Sequence, residues 1–322
     1  MPVNETLARY SDWAYASAVV IYVLAMAFYL VEQGMTKPKR QRERELVIAV
    51  ASGGETVVTE GPRALPPERG ISRAERIGRM GMALNVLGVL LHGAAVLLRG
   101  LATERVPWGN MYEYDSAICL VAVVTWLVLA RKFDLRRLSA FVLLPIVILL
   151  FLGGTALYST AAPVQPALQS YWLVIHVSVI AVSSGMLLVA GVASVLYLLR
   201  NAHEQNPGRF ARLAARLPAA DVLDRLAYRV TVLGFPLFTF GVICGAIWAE
   251  SAWGRFWGWD PKETCAFVAW VVYAIYLHAR ATAGWRGNRA AVINVVAWVV
   301  MVFNLFFINL VTSGLHSYAG VA

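Results

Sequence analysis

The sequence predicts an all-α integral membrane protein, a polytopic bundle of about eight transmembrane helices with both termini outside. Hydrophobic residues make up 59% of the 322 residues, and the mean hydropathy is +0.62. Charged residues make up only 15%, whereas a typical soluble domain has about 25%. We therefore treat residues 1–322 as a single transmembrane domain.

Apolar runs long enough to cross a hydrocarbon layer of about 30 Å need roughly 20 residues each. Eight such runs occur, at about residues 12–32, 78–99, 112–130, 138–157, 171–199, 230–249, 264–281 and 290–313.

Two of the connecting segments have a distinct composition. Residues 34–77 are charged and rich in Gly and Pro, which predicts a mobile, basic cytoplasmic loop. In residues 200–229 apolar residues alternate with arginines, which favours an amphipathic helix on the membrane surface. A helix that docks a partner protein is the alternative.

The distribution of basic residues predicts the orientation. Twenty-three of the 28 Lys and Arg residues fall in one set of alternate loops, which the positive-inside rule assigns to the cytoplasm. The net charge of +9 belongs to these loops, and we expect no nucleic-acid partner. No basic segment precedes the first apolar run, so we expect no cleaved signal peptide. The 24 Arg against 4 Lys favour a bacterium, hence a multi-pass protein of the bacterial plasma membrane.

The most unusual stretch is the loop at residues 250–263, which the charge count places outside. Trp253, Trp257 and Trp259 fall within seven residues, together with Phe256 and interleaved glycines. Such a segment is typical of an aromatic platform for a flat ligand or of an aromatic belt at the membrane interface. Taken alone, the loop is compatible with both.

The depths of the histidines in the predicted spans separate their roles. His176 lies about 5 residues into the fifth run, roughly 8 Å below the outer surface, and His316 follows the last run. Both are near the level of the Trp-rich loop. His278 is deeper, about 20 Å from the outer face, and either bonds a carbonyl or needs a metal ligand from another chain or from solvent. His92 is deeper than the loop as well, and His203 falls in a basic loop where we expect it to be solvated.

An indole platform and two histidines at one depth, without an acidic cluster, argue against Zn²⁺ or Mg²⁺. They favour haem held by two axial histidines. The propionates of a haem need hydrogen-bond donors, and Arg105, Arg255, Lys262 and the Trp N–H groups are available on that side.

Five residues of the Trp-rich loop form the pattern WGxxWxWD: Trp253, Gly254, Trp257, Trp259 and Asp260. The pattern resembles the tryptophan-rich (WWD) signature of haem-handling proteins of cytochrome c maturation. The segments 107–113 and 313–318 are similar to those of the CcsA/ResC family of System II cytochrome c biogenesis. The resemblance covers most of the chain from about residue 78.

The resemblance implies which residues contact haem. The Trp-rich loop, including Arg255, would hold haem on the extracytoplasmic side, with His176 and His316 as axial ligands of the iron. His278 would form an inner haem site with a histidine of a CcsB/ResB partner. His92 has no position in that scheme and is interpreted as structural.

The resemblance also implies a function. The protein would carry haem b, in the ferrous state, to the outer face and present its vinyl groups to the CxxCH thiols of apocytochrome c. It would act as a subunit of a cytochrome c synthase, with a thiol–disulfide reductase system keeping those thiols reduced. No residue is predicted to be an acid or base catalyst, so catalysis would consist of positioning. Asp260 is predicted to cap the seventh helix, with Pro261 and Glu263 in its first turn.

Two alternatives belong to other functional classes. The first is a b-type haem protein that transfers electrons to or from a quinone. The second is a small-molecule transporter whose tryptophans form an interfacial belt and bind no haem.

Overall fold

The computed structural model describes residues 3–36, 71–163, 168–282, 284–312 and 314–316. Within those ranges the chain forms helices and connecting loops, and no β-strand is present. Most of the loop predicted to be mobile, residues 37–70, lies outside the described residues.

Among the described residues, eight helices are long and apolar enough to cross a membrane, which confirms a multi-pass membrane protein. Their bounds differ from the predicted runs by at most ten residues. In chain order they are α1 (Glu5–Met35), α2 (Arg73–Thr103), α3 (Met111–Lys132), α4 (Ser139–Thr155), α5 (Tyr171–Gln205), α6 (Ala220–Trp253), α7 (Pro261–Ala281) and α8 (Asn288–Phe303). A π-helical turn, Asn304–Ile308, continues α8.

The helices differ in how deeply they are buried in the bundle. In α5, 72% of the most apolar stretch is buried, against 22% in α7 and 17% in the span formed by α8 and its π-helical turn. Helix α5 is therefore central, while α7 and α8 lie at the periphery of the bundle and are less deeply buried.

Helices α1 and α2 pack through tyrosines set against glycines. Tyr15, Tyr22 and Tyr29 recur every seven residues on the buried face of α1. On α2, a Cβ at Gly88 would lie 2.6 Å from the Tyr22 ring, and one at Gly81 would lie 3.2 Å from the Tyr29 ring. Only glycine allows these rings to approach the α2 backbone so closely.

The segment between α5 and α6 corrects one prediction. In place of a separate surface helix over residues 200–229, α5 continues to Gln205, a four-residue turn covers Ala211–Ala214, and α6 begins at Ala220. Leu217, Leu223 and Leu226 are buried in the hydrophobic core. These three leucines therefore pack inside the protein, whereas Phe210 is exposed.

The connectivity places the two ends of the described chain on the same side as the Trp-rich loop. Eight crossings return the chain to the side on which it began. The backbone N–H of Asn4 donates to the carbonyl of Ala102 at the end of α2, and Leu315 donates to Asp260 just before α7. The loops before α3 and α7 therefore share this side with His316.

Candidate functional site

A large cavity opens beneath the Trp-rich loop, between α3, α5, α6, α7 and the end of α8. Its volume is about 200 Å³. Its polar and aromatic lining includes Trp108, His176, Trp253, Trp257, Lys262 and His316.

His176 reaches this cavity from the first turns of α5. Its Nδ1 lies 2.7 Å from the carbonyl oxygen of Gly241 on α6, and a carbonyl can only accept, so Nδ1 carries the proton. Nε2 is then the lone-pair nitrogen, as in a metal-binding histidine whose other nitrogen is held by a backbone carbonyl. Gly245 makes room for the ring, since a Cβ there would lie 2.6 Å from the His176 Cε1.

His316 reaches the same cavity from the segment that follows α8. Its Nδ1 lies 2.7 Å from Oδ2 of Asp260, while the backbone N–H of Leu315 donates to Oδ1 of Asp260 at 2.8 Å. A Cβ at Gly314 would lie 2.5 Å from that same Oδ1, so only glycine lets the segment approach the carboxylate. Asp260 thus anchors the segment and orients the imidazole, which leaves the lone pair on Nε2.

The electrostatics keep the His316 imidazole neutral. Burial and the nearby Lys262 ammonium lower the pKa of His316 to about 4, although Asp260 acts in the opposite direction. Burial acts to raise the pKa of Asp260, but the hydrogen bonds from His316 and Leu315 outweigh it and the pKa is lowered. At neutral pH the pair is a neutral imidazole donating to a carboxylate, and a neutral imidazole is the form that binds a metal.

Two tryptophans enclose the His316 ring. Its centroid lies 5.0 Å from that of Trp253 and 6.2 Å from that of Trp248, and the two indoles are 4.7 Å apart. The three rings meet edge to face, an arrangement that aromatic rings favour. The imidazole therefore has little freedom to turn away from the cavity.

The other aromatic residues of the loop divide between the cavity and the surface. Trp257 and Phe256 line the cavity, although Phe256 is 61% exposed, while Trp259 is 64% exposed and lies outside the lining. Trp259 adopts a left-handed backbone conformation, with φ +56°, and packs edge to face on Trp257 and Phe267. This ridge of exposed rings lies beside the mouth of the cavity.

Glu263 holds the backbone of the Trp-rich loop. Its carboxylate accepts from the N–H groups of Gly258 and Asp260 at 2.9 and 3.2 Å, and Asp260 caps α7, which confirms the predicted cap. Glu263 also pairs with the Arg255 guanidinium at 3.2 Å, and that group lies over the Trp253 ring. Arg255 thus stabilises the loop, and its predicted contact with a propionate stays a prediction.

Gly254 ends α6 with φ +68°, where a residue with a side chain would be strained.

The remaining histidines lie away from the cavity. His278 is exposed on the outward surface of α7, about 26 Å along the helix from its start. His92 is fully buried, with Nδ1 3.4 Å from the Tyr22 hydroxyl and Nε2 2.9 Å from Oγ of Ser116, which suits a structural role. His203 is partly exposed and bonds a backbone carbonyl.

No group of three or more His, Cys, Asp or Glu lies together among the described residues in a way that could hold a bare metal ion. A haem iron needs only two axial ligands from the protein, because the porphyrin supplies four nitrogens. Nε2 of His176 and Nε2 of His316, the aromatic walls and the Lys262 cation fit that requirement.

Some residues of the site were not predicted from the sequence. Gly241 and Gly245 receive the His176 side chain, and Trp248 covers His316. The four-residue spacing of the two glycines is the small-xxx-small pattern of close helix packing, and it would have indicated a neighbouring helix at this point. The pairing of Asp260 with His316 spans 56 residues and has no local sequence signal.

Comparisons with known proteins identify related sequences. The sequence model of the cytochrome C assembly protein family matches residues 108–316. Cytochrome c biogenesis proteins CcsA are similar: that of Chlamydomonas reinhardtii is 36% identical over 248 residues, covering 74% of this chain and 67% of the relative. That of Synechococcus sp. (strain CC9605) is 35% identical over 276 residues, covering 77% and 89%.

A solved structure shares the fold. Cytochrome c Heme Lyase CcmF superposes with a TM-score of 0.55 at 15% sequence identity. The superposition covers 100% of this chain and 50% of that one, so this chain corresponds to half of the larger protein.

Proposed function

Because this chain belongs to the cytochrome c assembly protein family, in its CcsA branch, we propose that it binds haem between His176 and His316 and presents it for attachment to apocytochrome c. Cytochrome c biogenesis is the function of the family and of this protein. Membership of this family favours cytochrome c biogenesis over the two alternatives, a quinone-linked electron carrier and a small-molecule transporter.

The observation that carries the proposal is the matched pair of imidazoles. Each donates from Nδ1 to an acceptor, Gly241 or Asp260, and so directs a lone pair from Nε2. Both rings line one cavity. Two neutral imidazoles in a cavity walled by indoles suit a low-spin haem with two axial histidines.

In the proposed reaction a thiol of the apocytochrome CxxCH motif adds across a haem vinyl group. The sulfur bonds the vinyl carbon next to the ring and the hydrogen goes to the terminal carbon, so no oxidant is consumed. The protein holds the haem as its substrate and positions the vinyl edge at the mouth of the cavity. The exposed Phe256 and Trp259 beside that mouth would contact the arriving apocytochrome.

The partners form part of the same proposal. His278 is exposed on a peripheral helix, and its ring has no hydrogen-bond partner among the described residues. A CcsB/ResB-like membrane protein could supply the second ligand there for an inner haem site. The Trp-rich loop would face the extracytoplasmic side of a bacterial plasma membrane, where a thiol–disulfide reductase system keeps the CxxCH thiols reduced and haem b is kept ferrous.

Absorption spectra of the purified protein test the proposal. Co-expressed with its partner and with ample haem, the wild type should show a reduced low-spin haem spectrum. His176→Ala and His316→Ala should each lose that spectrum and regain it with added imidazole, which replaces the missing ligand. His203→Ala is the matched control and should behave as wild type. A wild type without haem under these conditions, or alanine variants with unchanged spectra, would refute the proposal.

A further inference from the structure

The loop before α3 has the same construction as the Trp-rich loop before α7. Each has an arginine, then a Trp-Gly pair, then a capping residue three positions before a glutamate. In each loop the glutamate lies eight residues after the arginine and pairs with it. We call residues 105–113 the Trp108 loop.

The contacts of the Trp108 loop are at least as tight as those of the Trp-rich loop. Glu113 accepts from both terminal nitrogens of Arg105, at 2.7 and 3.1 Å, and from the N–H of Gly109 at 2.8 Å. Asn110 caps α3 by accepting from the Glu113 N–H at 2.9 Å. Glu113 is only 2% exposed, so this framework is rigid and holds Trp108 in place.

Both loops line the same cavity. Trp257 of the Trp-rich loop and Trp108 of the Trp108 loop both line it. The sequence pattern that marks the Trp-rich loop as a ligand platform does not include Trp108. The shared construction indicates that the Trp108 loop is a second wall of the site.

Trp108 differs from an ordinary packing residue in its polar atom. Its Nε1 is buried and has no hydrogen-bond acceptor among the described residues. An indole N–H in such a position costs free energy unless it finds an acceptor. A donor on the cavity wall without a protein acceptor indicates an acceptor on the ligand.

We propose that the Trp108 loop is the second haem-contacting element of this protein, and that the Trp108 indole N–H donates a hydrogen bond to a haem propionate. This inference rests on the proposed haem site. On the periphery of haem only the propionates accept hydrogen bonds, since the methyl and vinyl groups are apolar. Lys262 lines the same cavity and supplies positive charge near the carboxylates. A propionate edge held at Trp108 fixes the rotation of the ring about its iron, and with it the direction of the vinyl edge.

The test compares haem with iron etioporphyrin, which has alkyl groups in place of both propionates. Trp108→Phe keeps an aromatic ring and removes the donor. The variant should release haem to a haem-free globin roughly tenfold faster than wild type, because a hydrogen bond to a charged acceptor is lost. Both proteins should release iron etioporphyrin at the same rate. Trp270→Phe is the control, since its N–H donates to Thr239 at 2.9 Å and the ring lies outside the cavity lining.

The outcomes separate this inference from the proposed function. Equal release of haem by wild type and Trp108→Phe, while His176→Ala loses its haem spectrum, overturns the Trp108 contact alone. If Trp108→Phe releases both porphyrins faster than wild type, Trp108 contributes packing only, and the proposed hydrogen bond is likewise overturned. Should Trp108→Phe fold poorly, Trp108→Leu replaces it, because leucine has no hydrogen-bond donor in its side chain. A His176→Ala protein with an unchanged haem spectrum would remove the site on which the inference depends.

Discussion

Asp260 is the residue on which the site depends most. It caps α7, it anchors Leu315 and it accepts the Nδ1 proton of His316. Because Asp260 is ionised and His316 is neutral at neutral pH, the carboxylate acts only as an acceptor and selects one imidazole tautomer. A partner of this kind raises the basicity of the coordinating nitrogen and fixes the plane of the ring.

Asp260→Asn should therefore weaken haem binding by roughly 10- to 100-fold, the usual effect of losing such a partner. An amide also donates, so the tautomer with hydrogen on Nε2 becomes accessible. Haem titration of the purified apoprotein measures the change. Glu250→Gln makes the same chemical change at an exposed position near the end of α6 and should leave the affinity unaltered. Equal affinities for Asp260→Asn and Glu250→Gln would show that the carboxylate does not select the tautomer.

At the scale of elements, the site depends on how closely α6 approaches α5. Gly241 offers its carbonyl to His176 and Gly245 leaves space for the ring. Neither glycine is needed for backbone conformation, because both lie inside a helix. The two glycines allow α6 to approach α5 closely, because any side chain at either position would separate the two helices or displace the imidazole.

Gly245→Ala should disturb the His176 ligand without unfolding the protein. The added methyl group would lie 2.6 Å from the imidazole, so the ring must leave its place beside Gly241. We expect a mixture of five-coordinate high-spin and six-coordinate low-spin haem, visible in the absorption and resonance Raman spectra. Gly93→Ala is the matched control, because nothing lies within 4 Å of a Cβ at that helical position. A purely low-spin Gly245→Ala protein would contradict this account of the packing.

On the scale of the whole molecule, the two proposed haem sites lie on separate surfaces. One is the cavity at the loop side, with His176 and His316. The other is the exposed surface of α7, which carries His278 at about 26 Å from the loop end of the helix. No described residue of this chain bonds the His278 ring, so a haem there needs a ligand from outside the chain.

His278→Ala should affect the two haem populations differently. Co-purified with a CcsB-like partner, the variant should lose the haem that depends on the complex. The purified variant should still bind added haem with the wild-type low-spin spectrum, because His176 and His316 are untouched. His203→Ala serves as the control in both preparations. A loss of the added-haem spectrum in His278→Ala would mean that the two surfaces do not act independently.

The features that could be predicted from the sequence are those that depend on residues close together in the chain. The eight spans were predicted to within ten residues, because each needs only a local run of apolar side chains. The cap of α7 was predicted as well, since Asp260, Pro261 and Glu263 are neighbours in the chain. The surface helix over residues 200–229 was wrong, because an apolar face does not show whether lipid or protein will cover it.

The sequence by itself therefore determined the class of protein, the number of spans, and the two histidines that share a depth with the Trp-rich loop. Only the tertiary structure decided that His316 is oriented by Asp260, that His176 is received by two glycines of α6, and that the Trp108 loop lines the same cavity as the Trp-rich loop. It also paired Arg255 with Glu263, where the sequence had suggested a haem contact. The physical reason is that depth and hydropathy are properties of single segments, whereas the choice of hydrogen-bond partner depends on side chains brought together from distant parts of the chain.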